Sequence, residues 1–155
     1  MKEKRSLITL SDEQTIAWLQ HHVQVLHGYA LALALKAGLS PAEAAATFVE
    51  PGHGDRADLH PPASLQLQAR QIAEALALTH GAEHVHVQHH DNTWSVQVTV
   101  IDREPFERYG ASLEMHTQWI AEQVRHVCEP KGIRPSVWLD QETLSLHLSL
   151  QMERR

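Results

Sequence analysis

Apolar positions in the first part of the chain recur at helical steps. Ile16, Leu19, Val23, Leu26, Ala30, Leu33 and Ala37 follow one another at intervals of three and four residues, which puts them on one side of an α-helix. Trp18, Val25, Tyr29 and Ala32 form a second stripe, leaving Gln20, Gln24 and His27 as a narrow polar seam. Ser11-Asp12-Glu13-Gln14 has capping-box spacing, so the helix is expected to start at Asp12. Tyr29 to Leu35 also alternates like a strand, but it is built of Ala and Leu, strong helix formers, with no β-branched residue. A helix apolar over most of its circumference needs cover on two sides. The expectation is a homodimer, with Trp18, Val25, Tyr29 and Ala32 at the contact.

Gly38 is placed to end that helix, and Ser40-Pro41-Ala42-Glu43 is a second capping box with proline at the first helical position. A short helix from Pro41 to about Val49 follows. Glu50 to Pro62 is dense in Pro, Gly and Asp, and reads as a loop between two parts of one domain. The pattern divides residues 1–155 into a helical part with its loop (1–62) and a second part (63–155).

The second part reads as two units of the same order. Leu65 to Thr79 is a helix, His84 to His89 and Trp94 to Ile101 are strands, and Asp91-Asn92 is the turn between them. Leu113 to Cys128, Pro135 to Leu139 and Thr143 to Gln151 repeat the sequence helix, strand, strand. Within the strands Val85, Val87, Trp94, Val96, Val98, Val100, Val137, Leu139, Leu144, Leu146, Leu148 and Leu150 alternate with His, Gln, Ser and Thr. One apolar and one polar face is the pattern of an antiparallel sheet covered on one side. The expected fold is α+β: a long N-terminal helix, then an αββ-αββ unit whose four-stranded antiparallel sheet carries helices on one face.

Charge narrows the partners. Lys and Arg number 13 against 19 Asp and Glu, a formal charge of -6. Phosphate-backbone binding draws on clustered Lys and Arg, so no nucleic-acid partner is expected. Val23 to Ala37, interrupted by Gln24, His27 and Lys36, falls short of a membrane span of about 20 residues. The reading is a protein of the cytoplasm. Cys128 is the single cysteine, which excludes an internal disulfide, and its stripe with Ile120 and Val124 reads as core. Histidine is the anomaly: there are 13, and protonating all of them carries the charge from -6 to +7.

Those histidines supply the candidate chemistry. His53, Asp55, Asp58 and His60 fall within eight residues of a glycine-flanked loop. Imidazole and carboxylate are the ligand types of zinc and similar ions, which makes a divalent metal the candidate cofactor there. A solvated loop in which Asp58 or Ser64 caps the next helix accounts for the same residues. His84 and His86, two apart on a strand, form a second pair, to which His147 on the same expected face is the third ligand; ordinary residues of a polar sheet face are the alternative. His27, amid the apolar stripes, with Tyr29 and with Trp138 on the polar sheet face, are the candidate ligand contacts. Glu122 and His126 are four apart on a helix, a spacing that serves a two-ligand clip or, more commonly, a surface ion pair. No phosphate loop, nucleophile elbow or His-Glu-x-x-His occurs. The sequence therefore favours a dimeric, non-enzymatic module for a small molecule or ion. A small metal-dependent, hydrolase-like enzyme and a purely structural subunit are the alternatives.

Overall fold

The computed structural model describes residues 10–48, 64–99 and 101–154. Among these residues, five α-helices and four strands occur in the order α1 (Asp12–Lys36), α2 (Pro41–Phe48), α3 (Leu65–His80), β1 (Val85–His90), β2 (Thr93–Val98), α4 (Glu104–Glu107), α5 (Leu113–Cys128), β3 (Ile133–Asp140) and β4 (Ser145–Met152). The fold class is the α+β arrangement expected from the pattern.

Serine starts α1, α2, α3 and α5 for one physical reason: its hydroxyl accepts from a backbone N–H that has no intrahelical partner. Ser11 caps α1 and forms the expected box with Gln14, which returns a bond to the Ser11 N–H. Ser40 and Glu43 make the same reciprocal pair, at 3.1 and 2.7 Å. Ser64 and Ser112 cap α3 and α5.

The sheet is antiparallel throughout, in the order β1-β2-β4-β3. Each αββ unit thus contributes one hairpin, and the second strands of the two hairpins, β2 and β4, pair at the centre. Asp91 turns the first hairpin at φ 52°. In the second, the Asp140 carboxylate accepts from the Glu142 and Thr143 N–H groups, and Leu144 takes φ 50°. Pro135 lies in β3, at the sheet edge, where a missing N–H leaves no ladder bond unmade.

The alternation places its apolar residues as expected at the centre. Val96, Val98, Leu146, Leu148 and Leu150 are buried against Ala69, Ile72, Ala73 and Leu76 of α3 and Ile120, Val124 and Cys128 of α5. Edge strand β1 departs from the pattern, for Val87 is 42% exposed. A smaller cluster of Leu31, Ala45, Ala111 and Trp119 ties α1 and α2 to α5. Helix α4 has no counterpart in the hydrophobic pattern. It is a single turn with Pro105 near its start, and its buried Phe106 joins the main core.

Helix α1 is covered differently from the expectation. Ala32, placed at the dimer contact by the pattern, is only 6% exposed and lies within the chain, and Val25 is half-buried. The residues that α1 fully buries are Gly28, Leu31 and Ala32, whereas Ile16, Leu19, Val23, Leu26 and Leu33 face solvent. The reason is Gly28. Its missing side chain lets α1 approach α4 so closely that the helix must turn that side inward.

Candidate functional site

Three helices leave a chamber of about 260 Å³ between them. Helix α3 contributes Ile72, Ala75, Leu76, Thr79 and His80; α5 contributes His116, Trp119, Ile120, Gln123, Val124 and Val127; α1 contributes His27. Most of this wall is hydrocarbon. The exception is a cluster of three imidazoles.

The surrounding helices determine where each imidazole sits. His80 is the last residue of α3, directly before Gly81 at φ 94°. His27 precedes Gly28, so the close approach of α1 to α4 fixes its position. His116 continues the buried stripe of α5 between Leu113 and Ile120. Its ring centroid is 6.0 Å from that of His27 and 6.4 Å from that of His80. Phe106 stacks on His116 at 4.0 Å, and Trp119 meets His27 edge-on at 5.1 Å. A bond of 2.8 Å from the Gln24 side-chain N–H to the Thr79 carbonyl oxygen holds α1 beside the end of α3.

Burial determines the charge state of this cluster. Loss of water pushes the His116 pKa well below the usual histidine range, and the neighbouring His27 and His80 push it further. His80 is lowered to about 4, again chiefly by burial, with His27 and His84 adding to it. A histidine at a helix C-terminus is ordinarily favoured as the cation; here desolvation outweighs the helix dipole. Burial lowers His27 as well. At neutral pH all three are uncharged, and each carries one ring donor and one ring acceptor. Neither nitrogen of His116 has a hydrogen-bond partner among the described residues, nor has Nδ1 of His27.

Of the three ligand contacts anticipated from the sequence, the structure brings only His27 to this chamber. Tyr29 is exposed on α1 and meets Tyr109 edge-on at 5.2 Å. Trp138 lies on the uncovered sheet face, stacked on His147 at 5.3 Å. His86, Gln97, His147 and Trp138 form one cross-strand row, so a whole strand separates His86 from His147, about 10 Å at normal strand spacing. His84 sits in a 3-10 turn before β1, its ring 3.5 Å from the Glu83 carboxylate. The structure therefore does not assemble His84, His86 and His147 around one point. His53, Asp55, Asp58 and His60 lie outside the described residues. Among the described residues no group of three or more His, Cys, Asp or Glu is arranged to hold a metal ion.

His126 and Glu122 form the expected surface pair, 3.1 Å apart, and Arg125 shares the same carboxylate. Cys128 is buried, which pushes its thiol up to about 11; it packs in the core as the sequence implied. No helix among the described residues is long and apolar enough to cross a membrane.

Sequence reasoning missed His80 and His116. The signal was present in the periodicity, since His80 extends the buried row Ile72-Leu76 and His116 stands among Leu113, Thr117 and Ile120. A histidine in phase with a buried stripe has to be placed inside the fold.

Compared with protein-family models, curated proteins and solved structures, the chain matches none.

Proposed function

We propose that the protein binds a small, mainly apolar molecule carrying one polar group in the chamber between α1, α3 and α5. The single observation that carries this reading is His116. Its imidazole is buried with both ring nitrogens unpaired, at the wall of an apolar chamber. An unsatisfied buried polar group costs about 1–3 kcal/mol, and native structures retain few of them. A hydroxyl or carbonyl on a bound molecule removes that cost, while its hydrocarbon body fills the remaining wall. Mostly apolar lining with a few convergent polar groups is the usual composition of small-ligand sites. The size suits a compound of one or two rings, because an apolar cavity of about 150 Å³ already takes benzene.

The test is a titration with 2-naphthol, which has two apolar rings and one hydroxyl, followed by NMR of the imidazole C–H signals. The His27, His80 and His116 signals should move together, while those of His86 and His147 stay in place. Ala75→Phe, at the exposed edge of the chamber, should weaken the response at least tenfold without unfolding the protein. No movement at saturating 2-naphthol, or an equal response in the Ala75→Phe variant, removes the reading.

A further inference from the structure

Helix α1 has apolar residues on opposite sides, and the other described residues cover only one of them. Gly28, Leu31 and Ala32 are on the covered side. At about 100° per residue, Ile16, Leu19, Val23, Leu26, Ala30 and Leu33 fall across the helix from them. Ile16 is 55% and Leu26 is 51% exposed. Between Asp12 and Val23 every residue except Gln20 is exposed, so this half of the helix has almost no support from the other described residues. An isolated helix shorter than about 12–15 residues is marginal in water, and such a segment needs cover.

The spacing of the exposed face identifies what covers it. From Ile16 to Leu33 the steps are three, four, three, four, three, the strict alternation of a coiled-coil seam rather than the broader stripe of a helix packed on a core. We propose that a second copy of this chain covers this face, with α1 antiparallel to α1. In that orientation Ile16 packs beside Leu33 of the second copy, Leu19 beside Ala30, and Val23 beside Leu26, with the two-fold axis between the last pair. Charge favours the same orientation. The acidic first turn, Asp12 and Glu13, comes alongside Lys36 in the last turn of the other copy, whereas a parallel pair sets each acidic turn against its own duplicate.

The protein at high micromolar concentration should sediment at twice its 17.5 kDa chain mass. Leu26→Glu changes an exposed residue, so the sheet and its core should be retained while the mass falls to that of one chain and some helicity is lost from the Asp12–Val23 half of α1. Orientation is read by oxidative cross-linking of Ile16→Cys and Leu33→Cys, because the native Cys128 is buried. Each variant alone should stay uncross-linked, since like positions are about 25 Å apart in the antiparallel pair; an equimolar mixture should give the covalent dimer. A single-chain mass for the native protein, or a dimer indifferent to Leu26→Glu, overturns the proposal. Cross-linking of either variant by itself overturns the antiparallel orientation. None of these outcomes bears on ligand binding in the chamber, which 2-naphthol tests separately.

Discussion

Gly28 packs directly against Pro105: a β-carbon at Gly28 would lie 2.5 Å from the Pro105 carbonyl oxygen and 2.9 Å from Phe106 Cα. Both neighbours are backbone atoms, which cannot rotate away. This contact positions α1 over α4 and, one residue earlier, presents His27 to the chamber.

Gly28→Ala should therefore destabilise the protein, although alanine is the better helix former. The propensity gain is about 1 kcal/mol, and forced overpacking costs about 1–3 kcal/mol, more here because the obstruction is main chain. Urea unfolding should show a net loss of about 1–2 kcal/mol, and the His27 imidazole signal should shift. Unchanged or increased stability would mean that α1 is not seated on α4 through this residue.

The three neutral histidines make stability depend on pH. Their folded pKa values lie below the unfolded value, so the unfolded chain takes up protons that the folded chain refuses. Their favourable contribution is complete above about pH 6.5 and is lost as pH falls toward His80's folded value of about 4. Each such histidine gives a slope approaching 1.4 kcal/mol per pH unit inside that window. Urea midpoints measured from pH 7 to pH 4.5 should fall steadily; a flat profile would show the cluster to be hydrated.

His116→Phe isolates one member of that cluster. The new ring keeps the stacking surface against Phe106 and removes two unpaired nitrogens from the interior. Stability at pH 7 should stay level or rise by about 1 kcal/mol, and the acid slope should lose one proton. Binding of 2-naphthol should weaken at least tenfold. A residue that costs stability and serves binding shows this opposition, whereas a purely structural histidine would lose stability when replaced.

Cys128 should behave as an inert core residue. Buried at the end of α5 with its pKa raised to about 11, it offers almost no thiolate at neutral pH. A thiol-reactive chromophore should label it only at the rate of unfolding, and urea should accelerate labelling in step with the loss of helix. Rapid labelling of the native protein would place the thiol near the surface.

The sheet and its helices were legible because each carries its own period: Val96, Val98, Leu146, Leu148 and Leu150 announce a buried face without knowledge of their neighbours. The caps at Ser11 and Ser40 were legible for the same local reason. Helix α4 was not, since one turn around Pro105 and Phe106 has no period. The orientation of α1 was also hidden, because both of its sides are apolar and the choice between them rests on how Gly28 meets a backbone 77 residues away. The chamber was legible only in part. His27 stood out among Leu and Ala, but His80 and His116 acquire their meaning from each other, across elements whose packing no single window of sequence contains.

The order β1-β2-β4-β3 makes the two αββ units halves of one object, joined edge to edge along β2 and β4. Either half expressed alone would present its inner strand as a bare row of N–H and C=O groups beside an open apolar face. Such a fragment contains half a core and a template for its own completion. The partner it would recruit is another fragment of the same kind, so severing the chain between Ile101 and Leu113 should turn a contact made once within a molecule into one made between molecules.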